Sequence, residues 1–252
     1  MPLVSLRGIS LLYEVHGDGP WLVFVHGAGG NHLSWWQQVP AFRTSHRCLV
    51  FDQRGFGAST APASPPDLTA DLDALLDHLG VERAVLVGQS MGGWSVLGAA
   101  LSRPERVAGL LLTGTLAGLT DDGILAELAA LHAGAKGFDP LKALAPEYLR
   151  LEPERTFLYE QISALNPPPT ASTLASLLGI RHSERAGEIR CPVTIVAGAV
   201  DQLFPLDLVR RAHAKLPSAE LVVVPDAGHS VYFERPFTLN RALSELLARA
   251  RP

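Results

Sequence analysis

Eight short apolar runs, separated mostly by stretches of helical periodicity, limit the folds open to this chain more than any other feature. Buried strands that alternate with helices are typical of crossover units, which build a mostly parallel sheet. The runs, in chain order, are VSL, ISLLYEV, WLVFV, RCLVF, AVLV, GLLLT, VTIVA and ELVVV. The sequence therefore predicts an α/β fold with eight candidate strands.

Two stripes of leucine predict helices that pack against this sheet, because the leucines recur at the spacing of one helical face. The first stripe consists of Leu68, Leu72, Leu75, Leu76 and Leu79, and the second of Leu239, Leu243, Leu246 and Leu247. Gly80 follows the first stripe and suits the C-terminal end of a helix.

The alternation stops between about Gly118 and Gly187, where helical patterns follow one another with no strand between them. The patterns are DDGILAELAALHAG, DPLKALAPEYLR, PERTFLYEQISAL and, after the proline-rich break NPPPT, ASTLASLLGI. Consecutive prolines enforce an extended backbone, so the last pattern is separated from the others. We interpret this region as a helical insertion into the α/β domain.

Composition excludes several classes of partner. The chain has 252 residues, 47% of them hydrophobic and 18% charged, with a formal net charge of −4. That length allows a sizeable core, and the charge gives no basic surface for nucleic acid or an anionic membrane. Because no apolar stretch is long enough to span a bilayer and the first residues do not resemble a signal peptide, we expect a cytoplasmic protein.

The two cysteines, Cys48 and Cys191, have no CxxC partner. Isolated cysteines in apolar surroundings are usually buried thiols, so we predict neither a metal site nor a cofactor.

The stretch VLVGQSMGGW places Ser90 where a predicted strand turns into a predicted helix. Gly88 and Gly92 lie two residues to either side, and the absence of Cβ atoms permits a very tight turn. This G-x-S-x-G arrangement is a nucleophile elbow.

An activated serine requires a base and a group that orients the base. Asp201 follows the run VTIVA, and His229 follows ELVVV. The carboxyl ends of parallel strands meet at one edge of a sheet, so both side chains can reach Ser90 there. Asp226 is a rival acid, although it shares the short loop of His229. An oxyanion needs two backbone donors, of which Met91 supplies one and the glycine-rich HGAGG the other.

Together these motifs resemble the α/β-hydrolase superfamily over the whole chain. The motifs are HGAGG (26–30), DQRGFGAS (52–59), GQSMGG (88–93), GAVDQLFP (198–205) and DAGHSVYFERP (226–236). The resemblance implies an eight-stranded, mostly parallel sheet flanked by helices, with a core of residues 1–117 and 188–252 and a helical lid, residues 118–187, after the sixth strand. It also implies that Ser90 is the nucleophile, Asp201 the acid and His229 the base, with the N–H groups of Ala28 and Met91 as oxyanion donors.

Other polar residues are interpreted as structural. By the resemblance, Asp52, Arg54 and Ser59 brace a turn near the site, and His26 holds the HGAGG loop. The remaining histidines, expected on the surface or in loops, are His32, His46, His78, His132, His182 and His213. The same topology implies no disulfide between Cys48 and Cys191.

The leading hypothesis for function is a serine hydrolase that cleaves a neutral, largely apolar ester, thioester or lactone through an acyl-enzyme. The alternatives are carbon–carbon bond hydrolysis of ring-cleavage products, a perhydrolase or haloperoxidase-type activity, and a low-turnover ligand-binding receptor. Relatives that cleave carbon–carbon bonds commonly carry GHW, where this chain has GHSVYF. The only partner that we predict is a small-molecule substrate, and the sequence does not indicate an oligomeric state.

The preference for an uncharged substrate comes from the composition of the predicted lid, since apolar walls suit an uncharged acyl or aryl group. Its apolar residues are Leu119, Ile124, Leu125, Leu128, Phe138, Leu141, Leu144, Tyr148, Phe157, Tyr159, Ile162, Leu165, Leu174 and Leu177. Its basic residues are Lys136, Lys142, Arg150, Arg155, Arg181 and Arg185. Most of these lie beside acidic residues or helix ends, so we expect them to be solvated.

Overall fold

A single sheet with strand order β1-β2-β4-β3-β5-β6-β7-β8 organises the computed structural model, which describes residues 2–60, 67–134, 139–167 and 177–250. The strands are β1 (Leu3–Leu6), β2 (Ile9–His16), β3 (Trp21–Val25), β4 (Arg47–Phe51), β5 (Ala84–Gln89), β6 (Val107–Thr113), β7 (Val193–Gly198) and β8 (Glu220–Val224). All eight predicted strands are present.

Nine α-helices lie within the described residues. They are α1 (Gln38–Phe42), α2 (Leu68–His78), α3 (Met91–Ser102), α4 (Asp122–Leu131), α5 (Pro146–Leu151), α6 (Pro153–Ala164), α7 (Leu206–His213), α8 (Val231–Glu234) and α9 (Pro236–Arg249). Short 3-10 turns span His32–Trp35, Pro104–Arg106, Pro140–Ala143 and His182–Glu188. In this part of the chain, none of the helices has the length and apolar character needed to cross a membrane.

The direction of the strands determines where functional side chains can meet. β1 and β2 run antiparallel to their neighbours, whereas β4, β3, β5, β6, β7 and β8 are parallel to one another. Val25 at the end of β3 pairs with Gly88 in β5, and Gln89 pairs with Thr113 at the end of β6. The carboxyl ends of these strands therefore form one edge, as the sequence predicts.

Each face of the sheet carries its own apolar layer, because successive side chains of a strand point to opposite faces. In β3, Val23 contributes to one cluster of buried residues and Phe24 to the other. The leucines of α2 pack in the first cluster and those of α9 in the second. The two predicted leucine stripes thus cover opposite faces, which explains why the strands are apolar on both sides.

The chain between β6 and β7 contains helices α4, α5 and α6 and no strand within its described residues. Many of its apolar side chains are buried, namely Leu119, Ile124, Leu128, Leu144, Tyr148, Ile162 and Leu177. Phe157 and Leu165 are instead largely exposed. Phe138, Leu174 and Lys136 lie outside the described residues, as does most of the pattern ASTLASLLGI. We refer to residues 118–187 as the inserted segment.

A buried ion pair joins the loop after β4 to α2. The guanidinium of Arg54 donates two hydrogen bonds to the Asp71 carboxylate, and the two side chains are 7% and 3% exposed. Arg7 also approaches Asp71, at 3.2 Å, from a more exposed position. Arg54, predicted to brace a turn, is thus bound to a helix on the face of the sheet.

We expect Arg54→Ala to lower the free energy of unfolding by about 3 kcal/mol, because removing one partner leaves a buried, under-compensated carboxylate. Urea denaturation followed by circular dichroism measures this change. The control is Arg150→Ala, which removes the exposed partner of Glu147 on α5 and should leave the unfolding midpoint unchanged. Equal midpoints for the two variants would contradict the prediction.

Candidate active site

Ser90 occupies a strained turn between β5 and α3, with φ of 48° and ψ of −117°. A residue with a side chain adopts positive φ rarely, at a cost on the order of 1–3 kcal/mol, and such strain is found mostly at functional sites. A Cβ atom at Gly92 would lie 2.2 Å from the Val25 carbonyl oxygen, and one at Gly88 would lie 2.7 Å from that of Gly92. Both predicted glycines are therefore required for the turn.

The end of β6 holds Ser90 on one side and His229 on the other. The Ser90 N–H donates to the Thr113 carbonyl at 3.0 Å, and the Thr115 hydroxyl donates to the Ser90 carbonyl at 2.7 Å. Between them, Gly114 has φ of +51°, and a Cβ there would lie 2.2 Å from the carbonyl oxygen of His229. Ser90 and His229 are thus both packed against the short stretch 113–115.

Asp201 orients the imidazole of His229. The Nδ1–H of His229 donates to Asp201 Oδ2 at 2.9 Å, and both side chains are buried. Asp201 Oδ1 accepts from the N–H groups of Leu203 and Phe204, at 2.8 and 2.9 Å, so the carboxylate cannot turn away. With Nδ1 as donor, Nε2 of the neutral ring is free to accept a proton.

Close packing of two loops brings this pair together. A Cβ at Gly198, the last residue of β7, would lie 2.0 Å from the Gly228 carbonyl oxygen. The Phe204 ring lies edge-on to the imidazole of His229, with centroids 5.2 Å apart, and Trp94 lies 6.2 Å from Phe204. The imidazole therefore has an aromatic wall beside it.

The rival acid, Asp226, faces a different partner. Its carboxylate pairs with Arg235 at 2.7 Å and its side chain is 67% exposed. The structure thus joins His229 to Asp201, and Asp226 serves a surface ion pair.

The HGAGG loop lies directly against Ser90. A Cβ at Gly27 would lie 2.7 Å from the Ser90 Cβ, and the loop closes with a hydrogen bond of 3.1 Å from Gly30 N–H to the Gly27 carbonyl. Ala28 lies inside this turn, and Met91 is the first residue of α3, where N–H groups lack partners within the helix. The two predicted oxyanion donors therefore belong to segments that flank Ser90.

His26 acts as a support for that loop. Its Nε2 accepts from the Gln53 N–H at 2.9 Å, and its Nδ1 lies 2.8 Å from the Gly27 carbonyl. Burial lowers the pKa of His26 to about 4, so the ring is neutral near pH 7. Its contacts match the loop-holding role expected for it.

Asp52 braces the next loop, and its partner is a histidine in the connection between β3 and α1. Asp52 Oδ1 accepts from the His32 main-chain N–H at 2.8 Å and from its ring Nδ1 at 2.7 Å. The Ser59 hydroxyl donates to the Asp52 carbonyl at 2.7 Å. His32 is therefore a largely buried ion-pair partner rather than a surface histidine. Burial opposes its protonation, but the hydrogen bond and charge of Asp52 outweigh burial and raise the pKa of His32.

The inserted segment is tied to these loops by an asparagine that the sequence analysis did not single out. Asn166 donates through Nδ2 to the Gly29 carbonyl at 2.8 Å and accepts at Oδ1 from the Gly57 N–H at 2.8 Å. Asn166 is the first residue of NPPPT. The prolines that follow it indicate that a helix ends there, but nothing in the sequence indicates a contact with the loops of the site. Glu234, within DAGHSVYFERP, is a second polar residue that was missed, and it is buried.

No group of three His, Cys, Asp or Glu side chains in the described ranges is arranged to hold a metal ion. Cys48 and Cys191 are free thiols. Burial raises the pKa of Cys48 to about 12 and that of Cys191 to about 11, so neither is a reactive thiolate at neutral pH.

A mostly parallel sheet with a strand–serine–helix turn at its carboxyl edge and a buried Asp–His pair beside it defines a class of hydrolytic enzymes. The chain belongs to the alpha/beta hydrolase family, whose model matches residues 22–242.

Comparison with individual proteins places the chain among hydrolases. It is 32% identical to "Putative carbamate hydrolase RutD" of Caulobacter sp. (strain K31), covering 95% of this chain and 96% of that protein. Among solved structures, a thermophilic esterase from Thermogutta terrifontis is 26% identical with a TM-score of 0.81, covering 99% of this chain and 97% of the esterase. Est816, described as an N-acyl homoserine lactone degrading enzyme, is 27% identical with a TM-score of 0.80, covering 97% and 99%.

The Asp201–His229 contact generates a prediction that does not depend on any substrate. The proton on His229 Nδ1 should give a slowly exchanging, strongly downfield proton resonance, because it is buried and donated to a carboxylate. Asp201→Asn should shift or abolish this resonance, whereas Asp226→Asn should leave it in place. Loss of the resonance in the Asp226 variant alone would reverse the assignment.

Proposed function

We propose that this enzyme is a serine hydrolase that cleaves a neutral, largely apolar ester, thioester or lactone through an acyl-enzyme. The observation that carries the proposal is the strained Ser90 turn, fixed by the end of β6 against the loop of the Asp201–His229 pair. A positive φ at a serine has an energetic cost with no packing benefit of its own. Ser90 is left partly exposed there, and the base, His229, is buried.

The mechanism assigns one step to each group. His229 Nε2 takes the proton of Ser90 as Oγ attacks the acyl carbonyl, and Asp201 stabilises the resulting imidazolium. The N–H groups of Ala28 and Met91 bind the oxyanion of the tetrahedral intermediate. His229 then protonates the departing alcohol or thiol. Water, deprotonated by the same imidazole, attacks the acyl-enzyme, and the imidazolium returns that proton to Ser90 Oγ as the bond from Oγ to the acyl carbon breaks and the acid is released.

Two observations support an uncharged substrate, and a third supports a carbonyl carbon as the point of attack. Trp94 and Phe204 form an apolar surface beside His229. The arginines of the inserted segment are engaged at the surface by carboxylates, in the pairs Arg150–Glu147, Arg155–Glu152, Arg181–Asp122 and Arg185–Glu188. The names of the three compared proteins refer to a carbamate, an ester and an acyl lactone, and each of these substrates has an acyl carbonyl open to serine attack.

The residue that follows His229 favours ester cleavage over carbon–carbon bond hydrolysis. Ser230 is fully buried, and its hydroxyl lies 2.8 Å from the Tyr159 hydroxyl of α6. Relatives with that activity commonly have tryptophan at this position, whereas Ser230 forms a hydrogen bond with the inserted segment. Ester-type cleavage remains the better fit.

The nucleophile is tested with a neutral p-nitrophenyl phosphonate diester, which forms a bond from phosphorus to Ser90 Oγ as p-nitrophenolate leaves. Intact-mass spectrometry should show one adduct on the unmodified protein and none on Ser90→Ala. Ester turnover should fall by about 10⁶ in that variant, because the whole catalytic unit is lost. The variant Ser95→Ala serves as the matched control and should still be labelled. An adduct on the Ser90 variant at the original rate would show that another residue is the nucleophile.

Substrate preference is tested with p-nitrophenyl esters of increasing acyl length, compared with a dicarboxylic ring-cleavage product. We expect kcat/KM to rise with length until the pocket is full, each buried methylene contributing on the order of 0.8 kcal/mol. The kcat/KM of every neutral ester of short or medium acyl length should exceed that of the charged substrate. Faster turnover of the dicarboxylate would mean that a cationic residue of the inserted segment binds substrate.

A further inference from the structure

We propose that Glu234 is a positioning residue that couples the inserted segment to His229, and that it does so as a carboxylate. The inference deepens the proposed function, on which it rests, because it concerns the base of the same site. Glu234 itself touches neither Ser90 nor the hydroxyl that reacts.

The carboxylate of Glu234 joins two segments that are far apart in sequence. Its side chain, at the end of α8, is 2% exposed. Oε1 accepts from the Gly228 N–H at 3.0 Å, and Oε2 accepts from the Ala145 N–H at 2.9 Å. Gly228 directly precedes His229, and Ala145 directly precedes α5 in the inserted segment. One side chain therefore links the base to the insertion.

Neighbouring contacts make this link stiff. The Ser230 N–H donates to the Ala143 carbonyl at 2.9 Å, so the residues before and after His229 are both attached to the stretch 143–145. A Cβ at Gly228 would lie 2.7 Å from the Ala145 nitrogen. Because the two backbones are in direct contact, a shift of either segment must move the other.

The N–H groups of Gly228 and Ala145 are both donors, so both oxygens of Glu234 must accept a hydrogen bond. Both groups that face Glu234 are main-chain N–H donors, and an ionised carboxylate accepts at each oxygen. A protonated carboxyl group, or the amide of glutamine, presents hydrogens at one end and can satisfy only one of the two donors well. The link is therefore complete only while Glu234 is ionised.

Burial acts against that ionised form. It raises the pKa of Glu234 to about 7, although the bonds from Ala145 and Gly228 oppose the rise. Other groups facing the carboxylate are Asp201, Arg235, Tyr148, Tyr159 and Tyr232. The Asp201 charge adds to the rise, and the Arg235 guanidinium, which is bonded to Asp226, reduces it.

The raised pKa has opposite consequences for stability and for positioning. Below pH 4.5, the reference pKa of the unfolded chain, Glu234 is protonated whether the chain is folded or unfolded. Its contribution to stability is fully present there and is lost as pH rises through about 7, because the folded state holds the proton more tightly. The positioning link, in contrast, forms as pH rises through the same range.

The test uses the rate at which the neutral phosphonate labels Ser90 between pH 5 and pH 9, measured by intact mass. In the unmodified protein the rate should fall on the acid side more steeply than one proton allows, because a general base acts only in its unprotonated form and the Glu234 link is lost as well. Glu234→Gln should be labelled about 10- to 100-fold more slowly at pH 8, as expected for a slightly misplaced base. On the acid side, the labelling rate of Glu234→Gln should fall no more steeply than the uptake of one proton allows.

The matched control is Glu220→Gln, which removes the exposed carboxylate that Glu220 of β8 pairs with Arg249 of α9 and should reproduce the unmodified profile. Circular dichroism checks that each variant is folded. If Glu234→Gln does not fold, the profile of the unmodified protein decides alone: a one-proton acid limb overturns the inference. A steep limb that persists in a folded Glu234→Gln overturns it as well. Absence of any labelling in the unmodified protein would instead refute the proposed function.

Discussion

The left-handed backbone at Ser90 is the constraint on which the rest of the site depends. It can form only where glycines at 88 and 92 let α3 approach the ends of β3 and β5. Thr113 and Thr115 hold both sides of the turn through main-chain and side-chain hydrogen bonds. The turn is therefore held by contacts with three parallel strands, and a stable, partly exposed serine at this position depends on the parallel sheet.

Features that depend on local pattern could be predicted from the sequence. The eight strands follow from short apolar runs, and the position of Asp201 and His229 follows from the rule that parallel strands end at one edge. The choice between Asp201 and Asp226 was also accessible, because a residue in the same short loop has difficulty reaching behind the ring. The structure adds the reason: Asp226 is held at the surface by Arg235.

Features that depend on contacts between distant segments could not be predicted. His32 carries no sequence signal for its pairing with Asp52, twenty residues away, and was expected only to lie on the surface or in a loop. Asn166 lies 137 residues from Gly29, whose carbonyl it binds. Glu234 follows three apolar residues in VYFE and resembles the solvated side of a helix. In each case a buried or half-buried polar side chain satisfies main-chain groups of another segment, and nothing in the local sequence indicates which segment that is.

These missed residues share a physical role that explains why the site tolerates buried charge and polarity. Loops at the edge of the sheet carry main-chain N–H and C=O groups that water would otherwise satisfy, and each such group costs free energy if buried alone. Asn166 and Glu234 satisfy these groups with side chains of fixed geometry, as does Asp52, the partner of His32. A hydrophobic replacement would pack as densely but would leave the donors unpaired. Because the side chain that satisfies a loop also fixes its position, the same residues that prevent a loss of stability set the geometry of the HGAGG loop and of His229. At Glu234 the two effects oppose each other, since the ionised form that holds His229 is the form that burial disfavours.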